Sequence, residues 1–360
     1  MTAPPYIVRE ATGLDVVAMM PGRIGFDPAN SIVVAGLHPP RGRVGIVIRI
    51  DHLPTDLTAL AAAAQQQAER LFDSGARASF VIRYVPPGSA DVEGDEAFWT
   101  WADLIGERLP VVGCWDAVGQ SYQEIDPDAR LRAGPVYSEE DLRSTRGAAT
   151  AAMAGLAPRA AREDLAKMGQ APKAARKSAR AAERRATDQS LSLGRDSMAR
   201  WRVAGLEIWL DWQRQLMEKP ALAIPAPQLG RIAALLGDQV GRDAVMASAF
   251  AHCGQIPRQL ARGQQLGAIF DPWSSPGLDY PRAGASLALL ERVGAHLTPR
   301  RRGAVYALGS AWHWWFGNGP AAMEWARAGL DCNDCPQLAS LILALVGRGV
   351  FPAALERQVP

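Results

Sequence analysis

The chain contains few cysteines and few histidines, which limits the disulfide bonds and metal sites that it could form. Four cysteines in 360 residues are too few for a disulfide framework. The five histidines show no spacing typical of metal ligands, so we expect neither a metal nor another cofactor. No hydrophobic run approaches the ~20 residues of a membrane-spanning helix. The first residues also lack the basic region and apolar core of a signal peptide, so these features predict a cytoplasmic protein.

Signatures of common enzyme classes are missing as well. The sequence has no phosphate-binding glycine loop, no Gly-x-Ser-x-Gly and no His-Glu-x-x-His. Its net charge of +2 gives no general electrostatic attraction to nucleic acid. These absences favour a protein without a catalytic centre.

The remaining composition is that of a soluble globular protein, with 48% hydrophobic and 21% charged residues. A length of 360 residues exceeds the usual size of one hydrophobic core, so we expect two domains. The apolar patterns predict an α/β domain over residues 1–135 and an α-helical domain over residues 196–360. A helical, basic linker region over residues 136–195 would connect them.

The predicted α/β domain is organised around two β-branched runs. Ser31–Leu37 and Arg43–Ile50, separated by a Pro-Pro-Arg-Gly turn, predict a β-hairpin. A capping-box pattern at Thr12 would start a helix that ends before Pro21, because proline disrupts a helix interior. Further along, helices and strands alternate, which predicts parallel crossovers and therefore a mixed sheet.

The carboxyl-terminal part has the apolar period of helices, punctuated by proline and glycine. Residues 308–330 carry a glycine-containing turn between two helical segments, with small residues where the helices would cross. This arrangement is like one tetratricopeptide-type helix pair, but no second copy follows at a fixed period. We therefore predict helical hairpins with tetratricopeptide-like packing rather than a true repeat array.

Two parts of the chain carry a family resemblance. One is Pro21–Leu37 followed by Arg43–Asp51, and the other is Trp312–Leu330 followed by the helix to Val346. In this order they resemble the bacterial family catalogued as domain of unknown function 4192, found mainly in high-GC Gram-positive bacteria. The resemblance implies the same two-part layout. It implies no activity and no catalytic residues.

The first candidate site is a cluster of polar residues at the hairpin. Asp27, Asn30 and Ser31 enter its first strand, whereas Arg49 and Asp51 end its second. In an antiparallel pair these positions lie at one edge of the sheet, where a small molecule or phosphate could bind to Arg49. The alternative is structural: the first three residues form a turn, and Arg49 pairs with a carboxylate.

The second candidate site is the aromatic run 312–316, Trp-His-Trp-Trp-Phe. On a helix, Trp314 and His313 point away from the face shared by the other aromatic residues, so Trp314 would be an exposed anchor for a partner helix or peptide. The alternative is that the run fills the core of a helical layer.

The third candidate site is a basic helix within the linker region. Its cations are Lys173, Arg176, Lys177, Arg180, Arg184 and Arg185. Such a helix could lie along the phosphates of a nucleic acid. However, no aromatic residues are interleaved with the cations, and no base-reading motif occurs in the chain, so the alternative is a solvated helix.

These patterns favour a non-catalytic module for protein interaction, including self-association, or regulation. This hypothesis follows from the missing catalytic motifs and from the binding surfaces that helical hairpins commonly provide. A small-molecule sensor or enzyme with a pocket at the edge of the amino-terminal sheet is the alternative. A weak nucleic-acid binder is the third hypothesis.

Overall fold

The computed structural model describes residues 12–39, 42–51, 53–89, 92, 95–153, 158–266, 270–271, 277–334, 337–350 and 352. Within these ranges the chain divides into two compact units. The first ends at Arg162 and the second begins at Glu163. We call them the sheet unit and the helical unit.

The sheet unit combines one sheet with short helices. The strands of its described part are β1 (Ser31–His38), β2 (Arg43–Ile50), β3 (Ala78–Val85), β4 (Val111–Val118), β5 (Ser121–Asp126) and β6 (Leu131–Ser138). The helices are α1 (Gly13–Ile24), α2 (Leu57–Asp73), α3 (Glu96–Gly106), α4 (Glu139–Arg143) and α5 (Arg146–Met153). The strand order is β2-β1-β3-β4-β5-β6.

The predicted hairpin forms one side of this sheet, and the mixed sheet is confirmed. Strand β1 pairs antiparallel with both β2 and β3, whereas β3 and β4 are parallel. The last two pairs, β4 with β5 and β5 with β6, are antiparallel. Helices α2 and α3 contribute to one hydrophobic core, in which Leu60, Leu71 and Trp101 pack with Val34 and Val81 of the strands.

Helix α1 begins as predicted but ends later. The capping box at Thr12 is confirmed, because its hydroxyl accepts a hydrogen bond from the Asp15 N–H at 3.2 Å. The predicted end before Pro21 is wrong, since the helix continues to Ile24 with the proline inside. A proline there costs about 3 kcal/mol. Met20 and Ile24 are buried one turn apart, and burying each side chain contributes about 1.5–3 kcal/mol, which offsets that cost.

A buried carboxylate joins three strands of the sheet. The side chain of Asp116 on β4 has no exposed surface. Arg83 on β3 donates to it through Nε at 3.0 Å and Nη2 at 3.1 Å, and Arg132 on β6 donates through Nε at 2.8 Å. Arg83 also donates to Asp95, the residue that caps α3, at 2.9 Å. Each buried charge therefore has opposite charges as hydrogen-bond partners.

We expect Asp116→Ala to destabilise the sheet unit by about 3–5 kcal/mol, because it leaves the Arg83 charge buried without its main partner. Urea denaturation of the full chain, followed by circular dichroism, measures the loss. Asp103→Ala is the control, because Asp103 is 59% exposed and pairs with the 44% exposed Arg130. Its loss should stay below about 1 kcal/mol. Equal losses for the two variants would contradict a structural role of the buried network.

The helical unit confirms the mainly helical second part of the chain. Its helices are α6 (Lys173–Leu191), α7 (Arg195–Glu218), α8 (Ala226–Gly237), α9 (Gln239–Ala247), α10 (Ile256–Ala261), α11 (Tyr280–His296), α12 (Gly303–Trp315), α13 (Gly319–Leu330) and α14 (Gln337–Gly347). Trp209, Leu236, Leu290 and Trp312 lie in one shared core. Tetratricopeptide-like packing stays a prediction. Of the helices that the structure describes, none is long and apolar enough to cross a membrane.

Two pairs of helices in this unit approach closely at glycines. A Cβ atom at Gly230 on α8 would lie 2.0 Å from the carbonyl oxygen of Ala179 on α6. A Cβ atom at Gly309 on α12 would lie 2.0 Å from the Trp325 ring on α13. Real atoms cannot approach to this distance, so both crossings require glycine. Helix α6, the predicted linker helix, is thus packed against α8 within the helical unit.

The segment before α6 is held by helices that come much later in the chain. The Trp325 indole donates a hydrogen bond to the Leu165 carbonyl at 2.8 Å, and the Tyr306 hydroxyl donates to Ala166 at 3.2 Å. The Ala171 N–H donates to the Ala295 carbonyl at 2.9 Å. The first residues of the helical unit are therefore fixed by α11, α12 and α13.

Candidate functional site

The structure brings part of the predicted hairpin cluster together. Arg49 donates a hydrogen bond from Nε to the Ser31 hydroxyl at 3.1 Å and from Nη2 to the Ala29 carbonyl at 3.3 Å. It also forms an ion pair with Asp51 and lies 5.0 Å from the centre of the Phe26 ring. The guanidinium of Arg49 therefore already has protein partners at this edge.

The other members of this cluster are placed differently. Asp51 has a second cationic partner, because Arg162 donates to it at 2.7 Å. Asp27 and Asn30 are exposed in the loop before β1, and Asn30 has a φ of 46°. The left-handed conformation suits asparagine, which is a common turn residue. Ligand binding by these residues stays a prediction.

Two tyrosines, Tyr84 and Tyr122, lie at the same end of the strands as Ser31, and the sequence did not indicate them. Pairing aligns Ser31 with Tyr84, Tyr84 with Ala117, and Ala117 with Tyr122, so these residues form one row across four strands. Partial burial raises the pKa of the Asp27 carboxyl, and the nearby Glu139 raises it further. Burial also raises the pKa of Tyr84 and of Tyr122, and Asp27 adds to both shifts.

The Tyr84 hydroxyl is the least satisfied group of this row. Tyr84 is 6% exposed, and its hydroxyl has no hydrogen-bond partner among the described residues. A buried donor without a partner is destabilising. Because the hydroxyl is itself buried, a ligand has no direct access to it, and the row is better explained as packing than as a binding site.

We expect Tyr84→Phe to stabilise the sheet unit by about 1 kcal/mol, because it removes a buried hydroxyl that lacks a partner. Thermal denaturation of the full chain measures this change. Tyr122→Phe is the control, since Tyr122 is only half-buried and its hydroxyl should contribute little. A clear loss of stability in Tyr84→Phe would show that the hydroxyl has a stabilising partner.

The helical unit contains a cavity between α6, α7, α8 and α12. Its volume is about 310 Å³, at the lower end of the range for ligand sites, which is about 300–1,000 Å³. Its apolar wall includes Met198, Trp201, Leu236, Leu297 and Val305. The polar residues that line it are Glu183, Thr187, Ser190, Asp238, Arg301 and Asp334.

An ion pair between a buried carboxylate and an exposed arginine lies on the polar side of this cavity. Glu183 is 6% exposed, and Arg301 donates to its two carboxylate oxygens at 2.8 and 3.3 Å. Burial raises the pKa of Glu183, whereas the charges of Arg301 and Arg180 oppose this shift. A carboxylate held by a bidentate arginine is suited to fixing structure or orienting a ligand. An apolar wall with a few oriented polar groups is typical of a binding cavity.

The exposure predicted for Trp314 is wrong. Trp314 is 1% exposed, and its indole donates a hydrogen bond to the Val350 carbonyl at 2.7 Å. Its ring packs edge-on against Trp315 at 4.7 Å. Every residue of helix α12 except His313 is buried, as expected for a mainly apolar helix that is surrounded by its neighbours.

His313 is also part of this packing. The histidine is half-buried, and its ring lies 5.3 Å from the Trp325 ring in an edge-on arrangement. Burial lowers its pKa to about 4. The imidazole is therefore neutral at physiological pH, and the stability of the helical unit depends on its staying neutral.

We expect the free energy of unfolding to fall by about 2 kcal/mol between pH 7 and pH 4.5 because of His313. In the unfolded chain this histidine takes up a proton near pH 6.5, whereas in the folded chain it does not. The contribution of the neutral His313 imidazole to stability is complete above pH 6.5 and decreases as the pH falls toward 4. His313→Gln should lose less stability over the same interval. Urea denaturation of both proteins at the two pH values measures the difference, and identical pH dependence would contradict it.

The six cations of the predicted basic helix lie on α6. Lys173, Lys177, Arg180, Arg184 and Arg185 are exposed, whereas Arg176 is half-buried. None of the six forms an ion pair with a described residue. Glu183, which the sequence places among them, pairs instead with Arg301.

The cavity could not be predicted from the sequence, because its walls come from segments more than 100 residues apart. The one local signal was an acidic residue, Glu183, among cations on an alanine-rich helix. The sequence Cys332-Asn-Asp-Cys335 has the spacing of a paired-cysteine motif, but Cys335 lies outside the described residues. Among the residues that are described, no group of three or more His, Cys, Asp or Glu side chains could hold a metal ion.

These features describe a two-part protein with a mixed-sheet unit and a helical unit that contains a cavity. Residues 14–353 match the family described as a domain of unknown function, DUF4192, and the chain belongs to this family. The family prediction is therefore confirmed, whereas the bacterial source that it implied stays a prediction. No curated protein and no solved structure matches the chain.

Proposed function

We propose that this protein is a non-catalytic binding module whose helical unit accepts an apolar side chain of a protein partner in the cavity beside α6. The cavity carries the proposal, because it combines an apolar wall with polar groups that are already paired within the protein. Such a site can hold a partner without performing chemistry on it.

An exposed leucine at the cavity supports a protein as the occupant. Leu191, at the end of α6, lines the cavity and is 81% exposed. This side chain and the apolar wall of the cavity together offer an apolar surface against which a protein side chain can pack. The sheet edge supports binding less well, because Arg49 already has protein partners there.

Site-specific photocrosslinking tests this function in the host cell. A photoreactive phenylalanine analogue in place of Leu191 should crosslink to a protein in a discrete product. The matched control carries the same analogue in place of Leu341, which is 55% exposed on α14 of the same unit and does not line the cavity. The control should give no such product. Absence of a product at position 191, or equal products at both positions, would refute the proposed function.

Filling the cavity gives a second test. Ala234→Phe places a larger side chain in the cavity wall and should reduce crosslinking from position 191 at least tenfold. Circular dichroism checks that the variant is folded, since overpacking costs about 1–3 kcal/mol. Undiminished crosslinking in a folded variant would show that the partner does not enter the cavity.

A further inference from the structure

We propose that the partner segment is acidic and amphipathic, and that it lies along α6 with carboxylates on the cations of this helix and an apolar side chain in the cavity. This inference rests on the proposed function and assigns the chemistry of its partner. The cations of α6, the paired acids of the cavity and the position of Leu191 support it.

The cations of α6 form a straight stripe. Lys173, Lys177, Arg180 and Arg184 are spaced by four, three and four residues, which places them on one side of a helix. The stripe extends over about 16 Å at 1.5 Å per residue. All four side chains are exposed, whereas Ala179 and Ala182 are buried. We call these four residues the basic stripe.

Few acids lie near the basic stripe: Asp188 follows Arg184 by four residues on α6, and Glu183, whose burial-raised pKa the charge of Arg180 lowers in part, pairs with Arg301. The three acids that line the cavity are already engaged: Glu183 with Arg301, Asp238 with Arg202 at 2.7 Å, and Asp334 with the Gly303 N–H at 3.3 Å. No residue of the basic stripe forms an ion pair with a described residue. The charge available to a partner on this side of α6 is therefore positive, and the complementary partner is acidic.

The basic stripe leads to the cavity along the helix. Leu191 follows Arg184 by seven residues and thus continues the stripe, and Thr187 lies between them at a spacing of three from Arg184. Both Thr187 and Leu191 line the cavity. A segment that contacts the basic stripe therefore reaches the apolar opening within about two helical turns. This order requires carboxylates on one part of the partner and an apolar side chain on the next.

A nucleic acid would also bring negative charge to the basic stripe. It would leave the apolar wall of the cavity and the exposed Leu191 without a complementary surface, because the contacts of a phosphate backbone are polar. The whole chain also has a net charge of only +2. The combination of cations with an apolar cavity thus favours an acidic protein segment.

Fluorescence anisotropy with the full chain tests this inference. The probes are a synthetic amphipathic helical peptide rich in Glu with a Leu face, the same peptide with every Glu replaced by Lys, and a single-stranded oligonucleotide. The Glu peptide should bind at least tenfold more tightly than either of the other probes. Tighter binding of the oligonucleotide, or equal binding of the two peptides, would overturn the inference.

Two charge-matched variants locate the binding surface. The stripe variant combines Lys173→Ala, Lys177→Ala, Arg180→Ala and Arg184→Ala, and should bind the Glu peptide at least tenfold more weakly than the unmodified chain. The control variant combines Arg185→Ala, Arg214→Ala, Arg231→Ala and Arg262→Ala, which are exposed and lie outside both the basic stripe and the cavity. It should change affinity less than twofold. Equal losses in the two variants would overturn the assignment of the binding surface to the basic stripe, because they would show that affinity depends only on net charge.

The segment crosslinked from position 191 separates this inference from the proposed function. Mass spectrometry of the crosslinked peptide identifies its sequence. An acidic amphipathic segment supports both proposals. A neutral or basic segment would leave the proposed function standing and overturn the inference, whereas no crosslinked segment would refute the proposed function itself.

Discussion

The close approach of α6 and α8 at Gly230 is the contact on which the cavity of the helical unit depends. Any side chain at this position would collide with the carbonyl oxygen of Ala179, so α6 could not keep its distance or its rotation. That rotation directs Glu183 toward Arg301 and leaves the basic stripe exposed. One position without a side chain thus sets both the cavity wall and the charge beside it.

Charged side chains are buried and paired in the centre of the sheet unit, whereas those of the basic stripe in the helical unit are exposed. In the sheet unit, Asp116 and Arg83 are buried together, and each satisfies the other. Burial of this kind requires good geometry, because the desolvation of both ions must be offset. The basic stripe of α6 stays in water, where its cations keep most of their solvation. A charged residue is therefore informative only together with its burial and its partners, neither of which is written in the sequence.

Local patterns predicted the parts of the fold that depend on local interactions. The β-branched runs gave the hairpin correctly, and the cap at Thr12 gave the start of α1, because these signals act within a few residues. The predicted end of α1 at Pro21 was wrong, because packing of the helix outweighs the local cost of the proline. Trp314 misled because its burial depends on a chain segment 36 residues later. The cavity could not be predicted, since four helices must first be placed together.

The hydrogen bond from Trp325 to Leu165 has a consequence for the order in which the protein is made. These residues are 160 positions apart, and a ribosome adds about 5–20 residues per second, so Leu165 waits about 8–30 s for its partner. During this time the beginning of the helical unit cannot reach its final packing. The packing of the helical unit is therefore completed late in synthesis. A chain truncated before α13 would lack Trp325 and thus the hydrogen bond that holds Leu165.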